Sequence, residues 1–482
     1  MKKRFQHPIN ILENISGKLF LLIIPVLRTL IYVIIHGELA GWLQGAWLDL
    51  LVVLVILGGG VYRWAFLRYR YSEKGLWVYK GILCTAVLFL PKEQISYLSR
   101  QEPWYLRPLG AVKLQADTDG GGKRNYDVSL TITRKESVRM VDTLFSVRLE
   151  PVEERYRAKT SRIVLYTLLN TNNLSGILYF AAGFTTAMRI FGQQLQYILR
   201  EGVRWIADFF SNSLSPALAV LAAILLLFWA GIFLAHLFYL LQFRCRRSQN
   251  ILRLSCGLVS QHHTHMMVSR INSVTLVESN LSRLIGMGYA TLRCSGYGKR
   301  DGTNNLLVPS CSMKELRQEI STLLPEWKET ENQLTPHHCI WRYLGFPAIL
   351  MGVVTVLALI PGLLVEGIGA TLWTVWGLFW LPMSWLFWLR WRGYRHAGIG
   401  VKDGWVTIRT MKGYRLTTTL VHRDRIVMAQ FRQSPFQKRA GQCDLICYIY
   451  GEGRDRVVLP GLTKTEARDF LLRLGILMPE EA

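Results

Sequence analysis

The run His262, His263, Thr264, His265 places three imidazoles within four positions. Side chains alternate along a strand, so His263 and His265 would share one face, and imidazole suits Zn or Ni. Tetrahedral zinc needs four ligands and nothing obvious completes the set, so a surface strand is the plainer reading. Cys443 and Cys447 also fall on one strand face, where burial of two small side chains explains them better than a metal does. His422, Arg423 and Asp424 have the order of a kinase catalytic loop but lack its downstream asparagine and Asp-Phe-Gly. GxxxxGK[ST], HExxH and GxSxG are missing, and the run from Gly296 to Gly302 misses dinucleotide-binding spacing by one residue. The residues therefore point away from an enzyme and call for no cofactor or metal.

Three ionisable residues fall in apolar surroundings, where a charge costs a few kcal/mol unless it is paired or hydrated. They are Arg28, Asp49 and His236. Arg28 and Asp49 could pair, and His236 lies near the end of its apolar run; a transporter would instead use all three to line a path. The apolar windows are 19–36, 46–67, 174–193, 214–241, 340–364 and 368–389, each near the ~20 residues that cross a bilayer as a helix. Six transmembrane helices in three hairpins are expected. The N-terminal run MKKRFQHPINILENISGK carries polar and acidic residues and no cleavage pattern, so it is not read as a signal peptide.

The chain has 57 Lys plus Arg against 33 Asp plus Glu, a net charge of +24. The excess gathers beside the apolar windows, at residues such as Lys18, Arg63, Arg244, Arg247 and Arg390, rather than in one soluble stripe. That distribution fits the anionic inner face of a cell membrane with both termini cytoplasmic, and excludes nucleic acid as the reason for the charge. The eight cysteines, irregularly spaced and without CxxC, read as free thiols in a reducing compartment. Trp373, Trp376 and Trp380 recur at i, i+3 and i+7, which makes one helix stripe suited to a packing seam.

Each hairpin is followed by a polar segment with β-branched and aromatic residues and regular glycines. Gly81 to Gly110 spans 29 positions, Gly257 to Gly286 spans 29 and Gly413 to Gly441 spans 28, with Ile95, Ile271 and Ile426 about midway. The segments are three copies of one module. In each, the first glycine turns between two strands, the second follows a short loop such as EPWYLRPLG or SPFQKRAG, and a last strand leads into an amphipathic helix with a capping-type start. The divisions are an N-terminal segment and hairpin over 1–67, a module over 68–155, a hairpin over 156–242, a module over 243–330, a hairpin over 331–390 and a module over 391–482.

This order of strand, glycine turn, LPKEQI or VSRIN strand, loop and closing helix resembles the bacterial pleckstrin-homology-like (PH-like) domains of YdbT-type membrane proteins. The resemblance implies that each module is a cytoplasmic β-sandwich or partly open barrel capped by its C-terminal helix. It also implies a non-catalytic scaffold that assembles with a smaller membrane protein carrying one such domain, or with copies of itself. By analogy its role would be resistance to antimicrobial peptides or envelope stress. Asn280 replaces the proline found at Pro103 and Pro435, a departure of the second module. Arg409, Lys412 and Arg415 bracket the Gly413 turn, where related eukaryotic domains often hold phosphoinositides; the other copies offer Lys80 and Arg253. Attraction to anionic phospholipids is the expectation there, each basic residue near the surface being worth about 1 kcal/mol.

Overall fold

The computed structural model describes residues 3–16, 47–81, 85–119, 126–145, 156–170, 216–248, 250–294, 305–336, 340–364, 369–451 and 456–474. Its strands are β1 (Arg4–Phe5), β2 (Arg68–Ser72), β3 (Gly75–Lys80), β4 (Ala86–Pro91), β5 (Ile95–Glu102), β6 (Ala111–Thr118) and β7 (Val128–Thr133), then β8 (Tyr156–Arg157), β9 (Arg244–Ser248), β10 (Ile251–Cys256) and β11 (Gln261–Met267). The second and third modules supply β12 (Ile271–Glu278), β13 (Met287–Cys294), β14 (Leu306–Ser312), β15 (Gly398–Lys402), β16 (Trp405–Lys412), β17 (Arg415–His422), β18 (Ile426–Arg432), β19 (Gln442–Ile449) and β20 (Arg456–Thr463).

Each module folds as two small antiparallel sheets, but the sheets do not stay within modules. The orders are β1-β2-β3-β4, β7-β6-β5-β11-β10-β9-β8, β14-β13-β12-β17-β16-β15 and β18-β19-β20. The second sheet of module one thus continues into the first sheet of module two through β5 and β11, and module two continues into module three through β12 and β17. The modules are fused edge to edge, an arrangement the sequence left open. Strand alternation gives each shared sheet two employments. Leu98 and Leu114 face the core of module one, while Leu252, Leu254 and Met266 on the neighbouring strands of the same sheet face the core of module two. Likewise Val274 and Leu420 enter the second core, and Val406, Ile408 and Val421 the third.

The aligned glycines sit where only glycine is comfortable. Gly81, Gly257 and Gly413 have φ of 90°, 104° and 63°, and Gly110, Gly286 and Gly441 have 62°, 68° and 64°. At Gly257 a Cβ would also lie 1.9 Å from the Ser260 carbonyl oxygen. Gly257→Ala should cost about 1–3 kcal/mol, read as a lower thermal midpoint.

The expected loop before the second glycine is a helical turn. In the second and third modules it is α6 (Asn280–Leu284) and α10 (Pro435–Arg439), each opened by a serine capping box, Ser279 or Ser434. Asn280 and Pro435 both occupy the first helical position, where a backbone N–H has no partner to lose, so the exchange is tolerated. The remaining helices are α1 (Asn10–Ser16), α2 (Trp47–Ala65), α3 (Arg134–Phe145), α4 (Thr160–Asn170), α5 (Pro216–Leu240), α7 (Met313–Leu323), α8 (Ile340–Leu364), α9 (Gly369–His396) and α11 (Lys464–Arg473). The module-closing helices bury Met140 and Leu144 on α3, Leu316 and Ile320 on α7, and Phe470 and Leu471 on α11. Ser312 and Thr463 begin the last two with capping boxes.

The expected six spans in three hairpins are also corrected. Among the described residues one stretch, Ile340–Leu357 of α8, is helical, long and apolar enough to cross a bilayer. The apolar helical stretches Val53–Ala65, Thr160–Leu169 and Phe228–Leu240 are shorter, and the expected windows 19–36 and 174–193 lie outside the described residues. Helix α9 runs for 28 residues with Pro382 inside it. It packs on α8, where Trp376 and Trp380 donate from their indole N–H groups to Thr355 Oγ1 at 3.2 and 3.1 Å. Trp376 and Trp380 of the tryptophan stripe form a helix–helix seam.

Candidate functional site: a cationic cleft between the second and third modules

The strands that fuse modules two and three also shape a cleft of about 430 Å³. Thr275 on β12 lies opposite Thr419 on β17, and Thr417 lies opposite Thr410 on β16, so their hydroxyls share one face of the sheet. That face is the interior face of module three, where the sandwich opens towards β20. Thr410 Oγ1 donates to the Val458 carbonyl at 2.8 Å and closes the cleft floor. Arg293 enters from β13, Lys412 from the end of β16 and Arg456 from the start of β20. Three cations with no carboxylate in the lining form a surface suited to an anion, while the hydroxyls of Thr275 and Thr417 donate within the protein, to Thr419 Oγ1 at 3.4 Å and to the Thr410 carbonyl at 3.1 Å.

Of the residues singled out in the sequence, the structure brings Lys412 into this cleft and sends its neighbours elsewhere. Arg409 Nη2 donates to Glu329 Oε1 at 2.8 Å and to the Thr330 carbonyl at 2.7 Å, and Nη1 donates to Asn332, so it staples the connector that follows α7. Arg415 Nη1 donates to the Tyr289 hydroxyl at 3.3 Å. Lys80 is exposed at the far end of β3. Arg253 stands on β10 between Arg246 and His265 of the flanking strands, and burial lowers its guanidinium pKa from the ordinary value. The five basic residues therefore make no common site. Arg293 and Arg456 were missed because they are 163 positions apart in the chain and meet only through the module fusion.

Arg28 lies outside the described residues, and Asp49 is on α2. His236, on α5, lines a small cavity of about 20 Å³ with Tyr166, Tyr239 and His262, room for a single water. His263 and His265 do share a face, but no group of three or more metal-ligating side chains forms among the described residues. Burial raises the Cys443 thiol to about 11 and the Cys447 thiol to about 12, as expected of packed small side chains.

The family model described as a bacterial PH domain matches residues 20–147 and 346–475, more than half of the chain. The chain belongs to the bacterial PH domain family. Its matched stretches cover most of the first and third modules, and the second has the same strand order between them. The chain is also 21% identical over 466 residues to YdbT, a transmembrane protein of Bacillus subtilis (strain 168), with 90% of each chain covered. No solved structure matches it. The chain is thus a membrane protein with bacterial PH domains, as the apolar windows and the resemblance to YdbT-type proteins led one to expect.

Proposed function

We propose that this bacterial PH protein is a non-catalytic scaffold at the cell membrane. The observation that carries the reading is the fusion of three modules through two strand pairings into one continuous β platform. A continuous platform of paired strands suits the holding of partners rather than turnover. Its PH modules face the cytoplasm, in keeping with the basic residues beside the apolar segments. The partner is a small membrane protein with a single domain of the same kind, and the assembly serves envelope defence against membrane-active peptides; the resemblance to YdbT-type proteins supports both. Native mass spectrometry after gentle extraction tests the partner: a discrete heteromer is expected, and a chain recovered without any small membrane protein would discard it.

The cationic cleft favours a second role, regulation by anionic phospholipid. Lys412→Ala combined with Arg456→Ala removes two basic residues worth about 1 kcal/mol each. Binding of phosphatidylglycerol, titrated into the delipidated protein, should weaken by about thirtyfold. Equal binding by variant and parent would remove the cleft from consideration.

A further inference from the structure

The two internal seams have one register. Counted from the isoleucine that opens the second sheet of each module, His265 is equivalent to Leu420, and Leu98 to Val274. His265 lies opposite Leu98, and Leu420 lies opposite Val274. The neighbouring pairs agree as well, Thr264 with Ser99 and Thr419 with Thr275. A seam is therefore a repeated, specific joint: the last strand of one module's first sheet meets the first strand of the preceding module's second sheet, antiparallel and in fixed register.

Three modules in series make two such joints and leave one half-joint at each end. At the first module β4 is an edge strand, and at the third β18 is an edge strand; among the described residues no strand pairs beyond either. Their exposure marks them as uncovered joints. β5 and β12, the equivalents of β18, are almost wholly buried, whereas Val427 and Met428 of β18 are 64% and 49% exposed. Val87 and Phe89 of β4 are 57% and 43% exposed, whereas the equivalent Thr418 and Leu420 are buried. An apolar edge with unpaired backbone groups is a template for strand addition, and proteins that avoid this place Lys or Pro on it. β18 has neither, and β4 has only Pro91 at its end.

We propose that β4 of one copy of this chain pairs antiparallel with β18 of a second copy, in the register of the internal seams. Phe89 would face Ala429, Leu88 would face Gln430 and Val87 would face Phe431. The chain itself argues for this occupant, because it carries both halves of a joint that it already makes twice. The contact is heterologous, so repetition gives a ring or an open row of copies. It stands on the strand pairing alone and does not need the small-protein partner.

Disulfide trapping in native membranes tests it. The full chain carrying both Leu88→Cys and Gln430→Cys should give, on mild oxidation, a ladder of covalent dimers, trimers and larger species that the parent chain lacks. Val87→Lys and, separately, Val427→Lys, both at exposed positions and checked by an unchanged thermal midpoint, should each abolish the ladder. The proposal is overturned by the absence of a ladder from the folded double-cysteine chain, by dimers from Leu88→Cys alone, which would show a β4–β4 contact, or by trapping of Leu88→Cys only to another protein.

Discussion

Phe470→Ala will destabilise the third module by about 3–5 kcal/mol, the usual range for deleting a buried aromatic ring. Phe470 is 1% exposed and projects from α11 into a core shared with Leu445, Leu459 and Leu462. Its position makes the loss local. The second sheets of the first two modules are each extended by a neighbour, but β18-β19-β20 stands as three strands with α11 as the helix that covers them. β15, β16 and β17 are held from outside through β12. Hydrogen exchange should therefore show amides of β18, β19 and β20 losing protection while those of β12 and β17 keep it. Uniform loss across all three modules, or a change below about 1 kcal/mol, would show that the modules are not separable in this way.

What was legible in the sequence is what local stereochemistry dictates. The six aligned glycines were readable because positive φ excludes most other residues, and the closing helices because their capping boxes and apolar spacing are contained in about a dozen positions. The seams were not legible, since pairing between modules joins strands far apart in the chain and leaves no mark on either. His263 and His265 read as a local surface strand and lie half-buried on β11, but that β11 is held between β5 and β10 was not readable. The cleft was half legible for the same reason. Lys412 was signalled by the Gly413 turn, but Arg293 and Arg456 become neighbours only through the fusion. The six-span reading rested on window hydropathy alone, and among the described residues one stretch, Ile340–Leu357, joins that apolar content to a helix long enough to span.

Lowering the pH from neutral to about 4 will weaken the fold by an amount on the order of a few kcal/mol, and the imidazoles of β11 are the cause. Burial holds His262 and His263 down to about 4 and His265 down to about 3, and the nearby guanidinium groups of Arg100 and Arg253 push His265 further the same way. Glu102 lies within 3.3 Å of Arg100 and 3.4 Å of Arg134, so it is already committed to two cations. In the unfolded chain the same histidines titrate near 6.5. Between about 6.5 and 4 the unfolded chain thus takes up protons that the folded chain refuses, and stability falls as pH falls. The contribution is complete above 6.5 and is exhausted below about 3. His263→Thr with His265→Leu adopts the residues found at the equivalent positions of the third module, Thr418 and Leu420, so the strand should accept them. The thermal midpoint of the parent should drop steeply between pH 7 and 4.5, and that of the variant should drop several degrees less. Superimposable curves would place the acid sensitivity in the carboxylates, and β11 would then be a seam whose histidines are mere spacers.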